Sequence, residues 1–354
     1  VGKDPNPYNL YNTRRYTFEN GIRVPIPQTV KMNNNLKPEI KSSFEWGLEM
    51  KFLENRLGFD FTYYYTKTKN QAMLVDASAP WSQQWVNAGK ITNKGVELML
   101  YGTPVKTKDF NFDLTMNFSK NISRVDELAN GVDHIYFNGD SNMPVKVGAR
   151  AGGKLGDIYA NNLLKRDANG QMIIGEDGLP MPVTSADAGG NLEQYILDHP
   201  IGNIEPKLLM SVTPSLNYKG VSLTAMFDMR FGGEVVSVSE GMATSVGTSE
   251  RTAYRGEYKE LNGVKDYYMV APGVTADGKP NTKEVSAQAY YSHIGLYKAQ
   301  KGFAEMFVHS ASYIKLKELA LGYSLPKSLL RKTPLTNVKL SFVARNLCFL
   351  LKHT

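Results

Sequence analysis

Cysteine and long apolar runs are both scarce in this sequence, and each shortage narrows the class of protein. The 354 residues include one cysteine, Cys348, which excludes an internal disulfide framework and a cysteine-based zinc site. No run approaches the roughly 18 apolar residues that a membrane-spanning helix needs, so helical spanning is excluded. Strands that alternate apolar and polar residues can still cross a membrane at the mean hydropathy of −0.34 found here.

Clustered charge and catalytic motifs are missing as well. The formal net charge is +7, but the basic residues are scattered, which gives no support to nucleic-acid binding. The histidines are dispersed without the spacing of metal ligands, and no nucleophile motif is present. We therefore expect no enzyme activity, no metal site and no cofactor. The five histidines are His134, His199, His293, His309 and His353.

Three local patterns permit other chemistry but have simpler explanations. Asp167 begins a stretch that resembles a calcium loop, but the twelfth position is Gly178 rather than a glutamate. The glycine cluster Gly152–Gly156 does not follow a strand as a phosphate loop would. Glu45 and Glu49 share a predicted strand face, and the polar wall of a water-filled lumen explains them more simply than a catalytic carboxylate pair.

The sequence is rich in aromatic residues, with 20 Tyr and 15 Phe, and two stretches place them in strict alternation. In 57–68 the odd positions are large and apolar, whereas the even positions are mostly small and polar. In 110–120 the even positions take the apolar role. The large residues of these two faces are Leu57, Phe59, Phe61, Tyr63, Tyr65, Phe110, Phe112, Leu114, Met116 and Phe118.

The connections between predicted strands alternate in length. From the first strand onward they are short, long, short, very long, short, very long and medium. An up-and-down membrane barrel has this rhythm, because its short turns lie at one end and its long loops at the other. Loops as long as 122–206 and 233–310 are uncommon in a compact soluble domain. The other predicted strands are 43–52, 87–102, 208–218, 221–231, 312–323 and 338–345.

The polar faces of the two best strands favour the same fold. The exposed face of a soluble sheet would be rich in Lys and Glu, whereas these faces carry mainly Asn, Asp, Thr, Ser and Gly. We therefore predict an all-β, antiparallel, up-and-down transmembrane β-barrel with short periplasmic turns and long extracellular loops. The ten large residues are expected to face lipid, and Asp60, Thr62 and Thr66 to face the lumen.

Several motifs occur in one order along most of the chain, from Leu36 to Leu347. They are Leu36-Lys-Pro-Glu, Asn55-Arg-Leu-Gly-Phe-Asp-Phe-Thr-Tyr-Tyr, Asn87-Ala-Gly-Lys-Ile-Thr-Asn-Lys-Gly-Val-Glu-Leu, Ile201-Gly-Asn, Phe231-Gly-Gly, Tyr313-Ile-Lys-Leu-Lys-Glu-Leu-Ala-Leu-Gly-Tyr-Ser-Leu-Pro326 and Arg345-Asn-Leu347. Each is weak alone, but the combination is specific. It resembles the C-terminal half of SusC/RagA-type TonB-dependent transporters.

The resemblance implies an outer-membrane barrel of about 22 strands in Bacteroidetes. In that family an N-terminal plug closes the barrel, and a SusD-like lipoprotein covers it. Import of oligosaccharides or peptides is driven through the TonB complex, and a homodimer of transporter–lipoprotein pairs is expected. We expect residues 1–354 to be a C-terminal part of such a barrel, with about eight strands and neither plug nor final strand, and hence part of a longer protein.

Binding is the activity that the loops can supply, because aromatic rings pack on sugar faces and planar polar groups bond to hydroxyls. The candidate ligand-binding residues are Trp81, Trp85, Tyr136, Tyr159, Asp228 and Arg230. Further loop rings are Tyr254, Tyr258, Tyr290, Tyr291 and Tyr297. Each ring also has a simpler role, as a packing anchor of a loop or as a contact to the lipoprotein. The alternative function is that of a soluble, secreted, β-rich glycan-binding protein, and a β glycoside hydrolase ranks below it.

Overall fold

One large sheet dominates the computed structural model of the chain. The structure describes residues 2–4, 6–13, 16–26, 28–77, 79–87, 89–128, 132–137, 143–297, 302–331 and 333–352. Of the histidines singled out above, His353 lies outside these ranges. Within them, none of the helices is both long and apolar enough to cross a bilayer.

Eight long strands form the wall of the molecule as an antiparallel meander in which each strand pairs with the next in sequence. They are β1 (Glu39–Phe52), β2 (Leu57–Lys69), β3 (Lys90–Lys106), β4 (Phe110–Glu127), β5 (Leu208–Tyr218), β6 (Val221–Phe231), β7 (Tyr313–Ser324) and β8 (Lys339–Lys352). The two-residue strand Gly2–Lys3 pairs with β1, and the resulting nine-stranded sheet is open. The predicted all-β, up-and-down architecture is confirmed.

The predicted strand bounds hold best where hairpins are tight. Strands β5 and β6 have the predicted bounds, since Lys219 and Gly220 between them adopt the positive φ values of 46° and 88° that a two-residue turn requires. Strand β4 instead continues to Glu127, and β8 to Lys352. Backbone pairing with a neighbouring strand extends both of them beyond the stretch where side chains alternate.

All short connections lie at one edge of the sheet, which we call the short-turn edge. They are residues 53–56, 107–109, 219–220 and 325–338, the last of which contains the one-turn helix Lys327–Leu330. The long connections 70–89, 128–207 and 232–312 lie at the opposite, long-loop edge. The predicted alternation of short and long connections is therefore present in the structure.

The long connections are folded, and together we call them the loop layer. The helices in it are Leu192–Asp198, Val238–Ser245 and Ala287–Ile294, with 3-10 turns at Glu250–Ala253 and Ala304–Phe307. Its strands are Ala72–Asp76, Gln83–Asn87, His134–Tyr136, Val145–Arg150, Asp157–Ala160, Gly202–Asn203, Glu234–Val236, Glu257–Leu261, Val264–Val270, Glu284–Ser286 and Val308–Ser310. These regions were predicted to be loops, because strands this short carry little periodic signal.

The N-terminal 38 residues also contain short elements where a long loop was expected. A 3-10 turn spans Pro7–Asn9, and Tyr16–Glu19 pairs with Ile22–Pro25 as a hairpin. Strand Val30–Lys31 runs parallel to Gln83–Asn87 and so joins this segment to the loop layer.

The two longest connections share hydrophobic cores. One cluster joins Leu164 and Ile174 of 128–207 to Tyr290 and Ile294 of 232–312. A second cluster joins Ile158 to Phe307, which is fully buried. The two longest connections are therefore packed together, since each of these two cores takes residues from both.

The strand register settles which side chains share a face of the wall. Phe61 lies opposite Leu98, and Leu98 lies opposite Phe118. Leu48 lies opposite Phe61 on the other side, so the row crosses β1 to β4. The same register places all ten large residues from β2 and β4 on this side, which we call the apolar face. The opposite side, with Asp60 and its even-numbered neighbours in β2, is the polar face.

The loop layer packs on the polar face at the long-loop edge. Ile91 and Val125 belong to the polar face by register, and both are buried in a cluster with Val75, Ile135 and Ala149 of the loop layer. On the apolar face at this level, Ile122 and Arg124 are exposed. The polar face is thus the covered side of the wall at this edge, as the interior of a barrel would be.

Candidate functional site

The wall meets the loop layer at a hydrogen-bonded junction centred on Glu205. Its Oε1 accepts from Asn121 Nδ2 at 2.6 Å and from Ser123 Oγ at 2.8 Å, while Oε2 accepts from the Ser123 backbone N at 3.2 Å. Tyr64 in β2 donates to Asn121 Oδ1 at 2.9 Å, so the junction reaches three elements. The Glu205 carboxylate can satisfy three donors because both of its oxygens are acceptors.

The Ile201-Gly-Asn203 motif forms the loop-layer half of this junction. Asn203 Nδ2 donates to Asp157 Oδ1 at 2.8 Å, and its Oδ1 accepts from the Glu205 backbone N at 2.8 Å. Glu234 accepts from the Asn203 backbone N at 2.9 Å. The motif therefore holds its own strand, the turn to β5 and the segment after β6 in one place, and a cavity of about 580 Å³ opens beside it.

Asp228 and Arg230 lie on the polar face of β6 near the long-loop edge, and both have partners. Asp228 accepts from the Tyr313 hydroxyl at 3.1 Å and lies 3.7 Å from Lys317 Nζ. Arg230 donates to the Ile204 carbonyl at 2.7 Å, so its guanidinium braces the turn next to Gly233. A ligand at this place would have to share these bonds or replace them.

Tyr136 and Tyr159 come together from the two strands that flank Val145–Arg150 in a small loop-layer sheet. Their ring centroids are 6.1 Å apart in an edge-to-face arrangement, and Lys146 Nζ lies 4.4 Å over the Tyr136 ring. Tyr159 is 1% exposed. Burial raises the pKa of its hydroxyl above the usual range, and the Asp157 carboxylate adds to that rise. In this conformation Tyr159 is a packing anchor, whereas the ring of Tyr136 is partly accessible.

Trp81 and Trp85 belong to a third place, the hairpin between β2 and β3. Trp85 lies within strand Gln83–Asn87 opposite Leu74, and its carbonyl accepts from Asn33 Nδ2 at 3.1 Å. Trp81 precedes that strand, and both indoles are half-buried. The six predicted ligand residues thus occupy three places in the fold.

The other predicted rings divide by burial. Tyr290 and Tyr291 are buried in the helix Ala287–Ile294, and desolvation raises the pKa of both hydroxyls. Tyr258 remains accessible and pairs edge-to-face with Tyr267 at 5.1 Å. These two rings are 61% and 42% exposed, so they form an open aromatic surface on one hairpin. Tyr254 and Tyr297 are also exposed.

A cavity of about 720 Å³ lies between the two long connections. Leu179 lines it from 128–207, and Ala289, His293 and Phe303 line it from 232–312. The His293 and Phe303 rings are 5.5 Å apart, and His293 Nε2 lies 2.8 Å from the Pro180 carbonyl. Its size and mixed lining are typical of small-ligand pockets. This cavity could not be predicted from the sequence, because its residues come from segments with no periodic pattern.

The arrangement offers binding groups rather than catalytic ones. Glu45 and Glu49 lie on the polar face of β1, where Lys51 Nζ is 2.8 Å from the Glu49 carboxylate. Within the described ranges, no group of three or more His, Cys, Asp or Glu side chains is placed to hold a metal ion. Rings, amides and carboxylates in the loop layer can bind a polar ligand without covalent chemistry.

Comparison with known proteins shows what this chain is similar to. The family model described as "TonB dependent receptor-like, beta-barrel" matches residues 3–158. The chain is 27% identical over 328 residues to TonB-dependent receptor P3 of Formosa agariphila, covering 89% of this chain and 30% of that protein. It is 26% identical over 309 residues to TonB-dependent receptor SusC of Bacteroides thetaiotaomicron, covering 82% of this chain and 26% of that protein.

Solved structures of the RagAB peptide importer share the fold. One in the "closed-closed" state superposes with a TM-score of 0.65 at 19% identity, covering 97% of this chain and 35% of that one. A second RagAB peptide transporter structure gives a TM-score of 0.64 at 22% identity, again covering 97% of this chain and 35% of the other. The chain therefore spans about a third of the length of the proteins it resembles.

Proposed function

Because this chain is part of a TonB-dependent receptor β-barrel of the SusC/RagA type, an outer-membrane family, we propose that the complete protein imports an oligosaccharide or a peptide across the bacterial outer membrane. This chain supplies eight wall strands and the loop layer of the complete protein. A plug elsewhere in the complete protein and the TonB complex would supply gating and energy. The outer-membrane location replaces the soluble glycan-binding alternative.

The separation of faces carries the proposal. The apolar face presents large side chains in every wall strand from β1 to β4, whereas the polar face carries groups that bond to one another. On the polar face Thr103 donates to Asp113 at 2.7 Å, and Ser215 and Thr224 are 2.9 Å apart. A membrane barrel needs this division, because lipid offers no hydrogen bonds and the lumen does. We propose that the ten large residues of β2 and β4 contact lipid.

The length of the apolar run fits a bilayer. From Leu57 to Tyr65 the strand advances about 27 Å at about 3.4 Å per residue. At a strand tilt of about 40° that distance corresponds to about 21 Å along the membrane normal, close to the ~25 Å apolar band of membrane barrels. Phe110 to Phe118 has the same length. Both strands therefore supply a band of the required height.

We propose that the loop layer contacts the substrate and a SusD-like lipoprotein. The accessible Tyr258–Tyr267 pair offers stacking surfaces, and the cavity beside His293 offers an enclosed site. Asp228 and Arg230 would contact substrate only by exchanging their present partners. Trp81, Trp85 and Tyr136 have accessible ring surface, and Tyr159 would act through packing. The TonB-driven step and a homodimer of transporter–lipoprotein pairs belong to the same proposal.

The family is one of transporters and receptors rather than enzymes. The import mechanism needs no bond to be made or broken by this chain. We accordingly expect no glycan turnover by the purified complete protein, and replacement of Glu45 or Glu49 is expected to leave that null result unchanged. Release of reducing sugar from a glycan panel is the measurement.

The test of import uses the complete protein in its native outer membrane. Deletion of its gene is expected to abolish uptake of one glycan or peptide from a labelled panel, and a protonophore to block the same uptake in wild-type cells. Affinity purification in detergent is expected to recover a surface lipoprotein. Unchanged uptake of every panel member after deletion would contradict the proposal.

A cavity-filling variant examines the ligand site within that assay. Ala289→Trp places an indole in the 720 Å³ cavity, whereas Ala186→Trp adds the same group at an exposed position as the matched control. Ala289→Trp is expected to lower uptake several-fold at unchanged protein level in the membrane. Equal uptake by both variants would exclude this cavity as the substrate contact.

A further inference from the structure

Lysines interrupt the apolar face near the long-loop edge on three adjacent strands. Toward the long-loop edge, the next residue of that face after Tyr65 is Lys67 in β2, and the next after Phe118 is Lys120 in β4. In β3, which runs the other way, Lys94 follows Val96. By register Lys94 lies opposite Tyr65 on one side and Ile122 on the other, so Lys67 and Lys120 are its diagonal neighbours.

A second basic pair lies level with Lys67, because Lys67 and Arg124 both lie opposite Thr92. Arg124 is on the same face as Lys120, and the backbone bridge Arg124–Lys154 places Lys154 beside it. Lys94, Lys120, Arg124 and Lys154 are all exposed, whereas Ser123 and its polar-face neighbours are buried. Lys94 and Arg124 are therefore accessible on the wall, while Lys120 and Lys154 also line the cavity beside the Glu205 junction. We call Lys67, Lys94, Lys120, Arg124 and Lys154 the basic band.

Acidic residues nearby accept hydrogen bonds from other groups. Three of them line the same cavity as Lys120 and Lys154, and they accept from Asn203, Asn121 and Ser123; they are Asp157, Glu205 and Glu234. Asp126 accepts from the Thr92 hydroxyl at 2.6 Å, and Lys90 Nζ lies 3.9 Å from Asp126 and 3.4 Å from Glu127. The structure records no ion pair for the five residues of the basic band across the described part of the chain. Five like charges at diagonal spacings of about 7–8 Å repel one another unless an anion lies among them.

The position of the band selects the anion. It begins where the ~25 Å apolar band ends, at the level of lipid headgroups on the long-loop side. Clusters of Lys and Arg at that level attract anionic headgroups. Lysine ammonium groups on flexible stems can converge on one phosphate, and Arg124 can bind its oxygens in a bidentate manner. Sugars without charge would leave the repulsion uncompensated.

We propose that the basic band binds the phosphorylated headgroup of a glycolipid in the outer leaflet of the outer membrane. The proposal rests on the proposed function, because it requires the apolar face to be in lipid. Binding would fix the depth of β2, β3 and β4 in the membrane next to the Glu205 junction. It would thereby hold the wall still beneath the loop layer.

The test compares lipid A binding by the complete protein and a triple variant, K94Q/K120Q/R124Q. The matched control is K106Q/K108Q/K339Q, which removes three exposed lysines at the short-turn edge. In neutral detergent micelles, fluorescent lipid A is expected to bind wild type and control alike and the band variant at least about tenfold more weakly. Added salt is expected to weaken wild-type binding and to narrow the difference.

Three outcomes would overturn the proposal. The first is equal lipid A binding by the two triple variants. The second is wild-type binding of dephosphorylated lipid A as tight as that of lipid A. The third is full displacement of lipid A by millimolar inorganic phosphate, which would indicate a site for the free anion. Substrate uptake is measured on the same variants. If the band variant shows normal uptake and unchanged lipid A binding, the lipid-binding proposal is wrong and the proposed function stands. If spin labels on β2 show that its apolar face does not contact lipid, the lipid-binding proposal and the proposed function are both wrong.

Discussion

At the residue scale, Glu205 ties the loop layer to the wall through three accepted hydrogen bonds from two β4 residues. Glu205→Gln replaces one acceptor oxygen with an amide that donates, so an N–H group would face another donor. A hydrogen-bonding group left unsatisfied in this way lowers the free energy of unfolding by about 1–3 kcal/mol. We expect faster proteolysis of 128–207 in the detergent-solubilised protein, with an unchanged wall. The control is Glu176→Gln at an exposed position, and equal proteolysis of the two variants would contradict the role of Glu205.

A second residue-scale prediction concerns Asp187. Hydrogen bonds from Lys165, and then from Thr184, lower the pKa of the Asp187 carboxyl from 3.8 to about 2. A lowered folded-state pKa means that the carboxylate stabilises the turn above pH ~3.8 and loses this effect as the pH falls through about 2. Limited pepsin digestion is expected to spare 184–190 at pH 3.5 and to cleave it near pH 2. Cleavage of wild type and Asp187→Asn at the same rate at pH 3.5 would contradict this.

At the element scale, two tyrosine rings lie over glycines of the neighbouring strand on the polar face. An added Cβ at Gly95 would come within 2.4 Å of the Tyr64 ring hydroxyl and of the Lys120 carbonyl. At Gly47, also on the polar face, the nearest atom would be 3.7 Å away. Gly95→Ala is therefore expected to cost about 1–3 kcal/mol and Gly47→Ala much less. The measurement is the temperature at which half of each variant loses its compact, fast-migrating form in SDS gels. Equal temperatures for Gly95→Ala and Gly47→Ala would exclude the ring–glycine contact as a source of stability.

The wall strands could be predicted from sequence because large apolar and small polar side chains alternate along them. The hairpin of β5 and β6 is the best case, since the turn at 219–220 fixes the register and alternation runs through both arms. The loop layer could not be predicted in the same way. Strands such as Asp157–Ala160 are buried on both faces, which removes the alternation. Tyr159 was a reasonable ligand candidate by type, but only the packed sheet shows that it is buried.

At the scale of the whole molecule, the loop layer is a folded unit with its own cores on an open wall. Phe307 is fully buried between elements from both long connections. Phe307→Ala is expected to cost about 3–5 kcal/mol, and to expose both 128–207 and 232–312 to protease while the wall keeps its heat resistance. Met242→Ala, at a position that is 48% exposed, serves as the control. Proteolysis confined to 232–312 would show that the two connections are independent.

The central claim is that the apolar face of the wall meets lipid and the polar face meets the lumen. Spin labels placed singly at residues 59 to 63 of the complete protein in liposomes, with Cys348 and any other cysteine replaced, test it most directly. Labels at Phe59, Phe61 and Tyr63 are expected to show high accessibility to dissolved oxygen, measured as faster spin relaxation. Labels at Asp60 and Thr62 are expected to show low oxygen accessibility. The reverse pattern, or accessibility without alternation, would contradict the account.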